Sequence, residues 1–363
     1  MLTTDLHVHL DGSLRDSTLL ELARSHGVCP SDEDGDAFVA GLTFEEGMTL
    51  QSCLDRFTAT VGLLQSRAAL CRAADELVRD CYLDGVRHAE IRFCPLLHTR
   101  AGLDVNEALE AVVAGIDRGV AACQRGSDDE WMSAGVIVSI LEGSTENDAK
   151  LLCDLAIHHA GSGVLGIDLA GDESLFDAKR YRSTFMLARA AGLGVTVHAG
   201  EGCEPSHIRD AVLKLGADRI GHGTSAARDM SVVELLAKSG TAVECCLTSN
   251  LHTGAIASLA EHPLPLFLKE GVRATLATDN RFFSRTTVSG EYDLAAEALG
   301  IEREDLVRMA VEGGRSSFLK SGERGRLVEV LSESAAAEGG NSVNETRKSG
   351  PGRGDRGVED NQR

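Results

Sequence analysis

Apolar residues along this chain gather in eight short runs, at residues 6–10, 89–94, 135–141, 164–169, 194–197, 219–221, 242–247 and 273–277. Each has the length and β-rich composition of a strand. The intervening stretches carry helical period and helical endings: residues 66–84 stop at Gly85, 106–125 at Gly126 and 230–239 at Gly240. Strands that are nearly continuous in apolar residues, separated by helices, predict a parallel sheet covered on its outside. Eight such repeats in a body of about 331 residues predict an α/β fold of the closed (β/α)8 TIM-barrel type rather than an open doubly wound sheet. A helical insertion of about 35 residues is expected after the first strand, ahead of the helix that starts near residue 66.

The pattern ends near residue 332. Beyond it the large apolar residues are Val343 and Val358, too few to bury a core. Residues 1–331 are therefore expected to form a single catalytic barrel domain and residues 332–363 a disordered polar tail. A second polar, acidic loop is expected at residues 30–36. No apolar run approaches the roughly 18 residues of a membrane span, and the opening MLTTDLHVHL lacks the basic and apolar regions of a secretory signal, which predicts a cytoplasmic protein.

Charge narrows the partners. With 36 basic and 56 acidic side chains the formal charge is −20. Nucleic acid binding depends on Lys and Arg displacing counterions from phosphates, so neither nucleic acid nor membrane is expected as a partner. A small-molecule site is expected instead, while nothing in the sequence sets the oligomeric state. The ten cysteines are scattered, and in a reducing compartment they read as small buried hydrophobes. No G-x-G-x-x-G follows the first strand and no P-loop motif occurs, which removes the simplest dinucleotide and nucleotide-phosphate readings.

Candidate chemistry sits at the strand ends. His7-Val8-His9 places two imidazoles on one face of the first strand. That signal is weak alone, because 12 histidines in 363 positions give roughly 0.4 such pairs by chance. Three other strands end in the same residue types: Val197-His198-Ala199-Gly200-Glu201, Ile220-Gly221-His222 and Thr278-Asp279-Asn280. In a (β/α)8 barrel the C-terminal strand ends build the active site. Three neutral imidazoles and a carboxylate suit Zn²⁺ with one position left for water, and a further His and a Glu would supply acid and base groups.

The segments LHVHLDGS (6–13), GIDLAGDE (166–173), VTVHAGE (195–201), RIGHGT (219–224) and LATDN (276–280) resemble the adenosine deaminase family of the amidohydrolase superfamily. HAEIRFCPLLH (88–98), CLTSN (246–250) and EYDLAAEALG (291–300) extend the resemblance across the body, in the family's order. The resemblance implies one Zn²⁺ per chain, held by His7, His9, His198 and Asp279. It implies that His222 orients the attacking water and takes its proton, that Glu201 protonates purine N1, and that the Gly171 N–H meets N3. Asp11 would receive the ribose 5′-hydroxyl; its competing reading is a cap on the turn before the helix near Asp16. The expected reaction is hydrolytic deamination of adenosine and 2′-deoxyadenosine to the inosine products and ammonia, as in purine salvage.

Two positions depart from the family pattern. Asn280 stands where a second Asp is usual; its amide can still donate to purine N7. Ser139-Ile140-Leu141-Glu142, at the third strand's end, stands where many relatives carry an arginine. The nearest rival keeps the chemistry and changes the substrate to adenine, an adenine nucleotide, an N6-methylated purine or a 5′-extended nucleoside such as aminodeoxyfutalosine, of which Asp11 disfavours a 5′-phosphate by charge repulsion. A catalytically inactive barrel used for binding is the alternative of a different class. A two-metal amidohydrolase is disfavoured because no lysine ends the fourth strand, and the small zinc nucleobase deaminases because P-C-x-x-C is absent.

Overall fold

The computed structural model describes residues 1–29, 35–124 and 131–346. Of the acidic loop expected at 30–36, residues 30–34 lie outside the described residues and Gly35 and Asp36 open a helix; the end expected at Gly126 and residues 347–363 of the expected tail also lie outside them. The chain alternates strands and helices: β1 (Thr3–His9), α1 (Asp16–Ser25), α2 (Gly35–Leu42), α3 (Leu50–Leu63), α4 (Arg67–Leu83), β2 (Val86–Phe93), α5 (Val105–Cys123), β3 (Ser133–Leu141), α6 (Glu146–His158), β4 (Val164–Ala170) and α7 (Ala178–Ala190). There follow β5 (Gly194–Ala199), α8 (Pro205–Asp210), β6 (Arg219–His222), α9 (Met230–Ser239), β7 (Ala242–Cys245), α10 (Leu247–His252), α11 (Leu264–Lys269), β8 (Ala274–Leu276), α12 (Val288–Leu299), α13 (Arg303–Ser316) and α14 (Ser321–Thr346).

The eight strands pair in parallel in sequence order. Backbone bonds from His9 N to Asp279 O and from Asp279 N to His7 O, both 2.8 Å, close β1 against the segment after β8. This is the expected (β/α)8 barrel. The insertion after β1 consists of α1, α2 and α3, and α4 begins with Ser66 as its cap, accepting from Ala69 N. Among the described residues no helix is long and apolar enough to cross a membrane. All ten cysteines are free and eight are buried.

Alternation along the strands sorts the barrel into two environments. Val8, Ile91, Val138, Leu169, Val197, Ile220 and Val243 are fully buried within one continuous apolar core. The alternate positions of β2 carry His88, Glu90 and Arg92, and they join a fully buried ion network. Arg219 donates to Glu90 Oε2 and Glu244 Oε1, both at 2.5 Å. Arg92 donates to Glu244 Oε2 at 3.0 Å and to Leu6 O at 2.8 Å, and sits 3.4 Å from Asp168. Phe318 closes the barrel floor: its ring lies 3.5 Å from the Arg219 guanidinium and its N–H donates to Glu90 at 2.6 Å. Such buried charges are tolerated only when each has partners, and here the carboxylates of Glu90, Glu244 and Asp168 face the guanidinium groups of Arg92 and Arg219.

The chain end differs from expectation. α14 continues through the expected boundary at residue 332 to Thr346. Leu327 and Leu331 anchor its first half in a small apolar cluster, Ser334 Oγ accepts from Leu2 N at 3.1 Å, and Ala335, Ala336 and Ala337 carry high helix propensity. Composition without large apolar residues therefore did not end the helix.

Candidate active site

Four elements deliver the strand-end residues to one point. His7 and His9 come from β1, His198 from β5, His222 from the last residue of β6, and Asp279 and Asn280 from the turn after β8. His7 Nε2 and His9 Nε2 lie 3.3 and 3.2 Å from Asp279 Oδ1. His9 Nε2 lies 3.3 Å from His198 Nε2. The His222 ring is 4.9 Å from that of His7 and 5.1 Å from that of His198. His7, His198, His222 and Asp279 offer one donor atom each within 4.8 Å of the rest; His9 is not part of that foursome, but its Nε2 lies against His198 Nε2 and Asp279 Oδ1.

The donor chemistry fits a metal ion. His7 Nδ1 donates to Glu244 at 2.8 Å and His198 Nδ1 to Asp168 at 3.0 Å, which leaves the Nε2 lone pairs facing the cluster. Carboxylates in these positions fix the ring tautomer and raise ligand basicity. His7 Nε2 is buried with no hydrogen-bond partner, an arrangement that costs about 1–3 kcal/mol unless something else occupies it. Burial opposes charge on Glu244, but Arg92 and Arg219 hold its carboxyl well below the usual range. Burial likewise opposes charge on Asp168, and His198 and Arg92 hold it low. These two carboxylates escaped the sequence reading although Asp168 sits inside a quoted motif; the readable signal was a charged residue on the inward face of a strand.

Around the cluster stand the acid and base groups. Glu201, in the loop between β5 and α8, is buried with Oε2 3.6 Å from His222 Nε2. Burial, then the Asp279 charge, pushes its carboxyl up to about 8. Thr253 Oγ1 donates to Glu201 Oε1 at 3.0 Å. Glu173 grips the same loop from both sides, accepting from Gly200 N at 2.5 Å and Gly202 N at 2.9 Å. Asn250 Nδ2 sits 3.0 Å from His222 Nδ1, and Ser249 Oγ donates to Asp279 Oδ2 at 2.6 Å. Ser249 and Asn250 belong to CLTSN, a segment that carried resemblance without an assigned role. His222 and Asp279 have positive φ values of 65° and 58°. Non-glycine residues hold such conformations at a cost of about 1–3 kcal/mol, and such strain gathers at functional sites.

The remaining expected residues line two adjoining cavities. The inner one is bounded by the cluster, Glu201, Thr253 and Asn280, and roofed by Phe44, Leu50 and Phe57 from the insertion. The outer one, about 280 Å³, is bounded by Asp11, Ser139, Glu142 and Gly171. Asp11 does not cap α1, whose cap position is Arg15 with no side-chain bond. It is buried, its Oδ1 has no partner, and burial pushes its carboxyl up to about 7. Gly171 has φ +110°, a conformation that side chains rarely adopt. Gly12 is required by close approach: a Cβ there would lie 1.9 Å from Asn280 Oδ1. Asn280 is thus packed against the β1 loop, with Oδ1 buried and unpartnered.

A (β/α)8 barrel carrying imidazoles and a carboxylate at its C-terminal rim is an amidohydrolase-type barrel. Comparison with known proteins narrows the class. Residues 3–334 match the family model described as adenosine deaminase. The chain is 35% identical over 337 residues to an adenosine deaminase of a Mycobacterium species (strain JLS), covering 89% of this chain and 92% of the relative. Among solved structures it resembles an adenine deaminase from Arthrobacter aurescens (26% identity, TM-score 0.80, 91% and 98% of the two chains covered). It also resembles the Arabidopsis N6-mAMP deaminase MAPDA (28% identity, TM-score 0.80, 92% and 98% covered). The chain belongs to the adenosine deaminase family, and is an enzyme of that class of hydrolases acting on carbon–nitrogen bonds.

Proposed function

We propose that this enzyme hydrolyses adenosine and 2′-deoxyadenosine to inosine or deoxyinosine and ammonia, using one Zn²⁺ held by His7, His9, His198 and Asp279. The observation that carries the reading is the convergence of those donors on the inner cavity beside a buried, proton-holding Glu201, with Asp11 in the wall of the cavity next to it. When bound, the ion supplies Lewis-acid activation of water at neutral pH. His222 holds that water against one face of the purine and accepts its proton. Glu201 gives a proton to N1, which draws electrons from C6 as the C6–O bond forms. The C6–N bond then breaks, the exocyclic amine leaves as ammonia after taking a proton from the His222 side, and the proton remaining on the C6 hydroxyl returns to Glu201 to leave the 6-oxopurine. Gly171 N–H and the Asn280 amide donate to N3 and N7, and Asp11 accepts the 5′-hydroxyl. His222 lies close enough to the donors to compete as a ligand; its bond to Asn250 and its contact with Glu201 favour the proton-handling role.

A second reading keeps this chemistry and changes the 5′ group to a phosphate. Arg100 on the outer cavity wall favours it, and a structural neighbour is named for N6-mAMP. Arg100 is exposed, whereas Asp11 and Glu142 in the same wall are buried, which weighs toward the neutral nucleoside. The test follows ammonia release and the ultraviolet change on adenosine, 2′-deoxyadenosine, adenine, AMP and N6-methyladenosine, with zinc content measured on the same sample. Adenosine and 2′-deoxyadenosine should turn over fastest; preference for AMP or adenine would overturn the substrate assignment, and turnover without a bound metal would overturn the role of zinc.

A further inference from the structure

Glu142 immediately follows β3, and its backbone N–H donates to Ala170 O at 2.7 Å. That bond fastens it beside Gly171, which with His9, Leu54 and Phe57 lines both the inner and outer cavities. Its side chain forms part of the outer wall and is 9% exposed, yet neither carboxyl oxygen has a hydrogen-bond partner. Asp11 Oδ1 in the same wall is also buried and unpartnered. Three carboxyl oxygens without partners around one cavity amount to a site that lacks its donors, because buried polar groups otherwise find them within the fold. The same cavity is also lined by the apolar side chains of Phe57, Val61 and Leu97. A ligand group that fits has an apolar face and hydroxyls on one edge, and carries no negative charge.

Resting on the reading that the inner cavity takes a 6-aminopurine, we propose that Glu142 determines specificity by hydrogen bonding to a ring hydroxyl of a neutral sugar carried by the purine. Asp11 and Glu142 would then hold different hydroxyls of one sugar from two sides of the cavity. Burial, then the charge of Glu173, pushes the Glu142 carboxyl up to about 8, so near neutrality it can both donate and accept. Nothing in the chemistry at C6 requires this carboxyl, so its loss should act on binding of the sugar alone.

The test compares zinc-loaded wild type, E142Q and E142A on adenosine, 2′-deoxyadenosine, 3′-deoxyadenosine and AMP, with adenine as substrate or competitive inhibitor. E142A should raise KM for adenosine about tenfold with kcat nearly unchanged, the loss of one hydrogen bond to the ligand. E142Q should recover most of it. One of the two ring-deoxy nucleosides should show a matching penalty with wild type that disappears in E142A, while adenine binding stays the same. Equal effects on adenine and adenosine, or unchanged KM throughout, would overturn the role of Glu142 while leaving the deaminase reading intact. If E142A does not fold, the wild-type penalty on a ring-deoxy nucleoside, its persistence in E142Q and its disappearance in the volume-conserving E142M decide the matter. Wild-type protein that releases no ammonia from any member would overturn the reading of the whole site, and Glu142 with it.

Discussion

Removing the hydroxyl that contacts Glu201 offers a quantitative test of its acid role. Thr253 Oγ1 donates to Glu201 Oε1 at 3.0 Å, and donation to a carboxylate favours the ionised form. Thr253→Val keeps the shape and removes the donor. If the bond favours the ionised form by about 1 kcal/mol, its loss raises the Glu201 pKa by about 0.7 unit. The group works protonated, so activity is present below its pKa and is lost as pH rises through it. From a wild-type limb near 8, the protonated fraction at pH 9 is roughly 0.1, and it rises to roughly 0.3 in the variant, a threefold gain relative to each enzyme's plateau. A bound dication lowers both limbs, so the difference between the two profiles is the quantity to read. The assay is kcat/KM for adenosine from pH 6 to about 10, with E201Q as the control expected to lose about 10²–10⁴ in rate. An alkaline limb that stays in place, or moves to lower pH, in Thr253→Val would refute the assignment of that limb to Glu201.

Asp168→Asn should weaken metal affinity by about 10–100-fold, because the His198 ring loses the carboxylate that fixes its tautomer; competition with a chelator measures this, and unchanged affinity would show that Asp168 serves only the ion network. The metal-free protein should lose thermal stability as pH rises from about 6.5 to about 8.5. Asp11, Glu142, Glu201 and Glu291 have folded pKa values raised to about 7 or 8, so their contribution is full below the unfolded carboxyl range and disappears as pH passes through the folded values. His9, His98, His222 and His262 are shifted down by burial and act in the opposite sense, but their gain is complete once pH exceeds the ordinary histidine value near 6.5. A melting temperature that rises across that window would contradict the burial argument.

The fold and the strand-end chemistry were legible because each depends on local pattern. Apolar runs marked all eight strands, and His7, His9, His198, His222 and Asp279 all stood at or beside their C-terminal ends. Boundaries failed where tertiary demands overrode composition: the seventh run reads as strand through Leu247, but β7 stops at Cys245 because α10 starts at Leu247 to place Ser249 and Asn250 under Asp279 and His222. The charged filling of the barrel was harder to see. Glu90, Arg92, Asp168, Arg219 and Glu244 come from four of the eight strands, and each looks costly until closure of the barrel supplies its partner. The unsatisfied carboxyl of Glu142 was legible as a departure from pattern, yet its position in a cavity wall depends on how β3 and β4 end together.

The seam between β1 and β8 has a consequence for how the enzyme matures. β8 has three residues, and the seam is fastened by the backbone of His7, His9 and Asp279, the same residues whose side chains gather at the proposed metal centre. An ion held by those side chains would therefore act as a clasp across the weakest join in the barrel, tying the first segment of the chain to one made almost at the end of synthesis. Metal loading would then reinforce a closure that the backbone already makes, and neither can be complete until translation has passed residue 279.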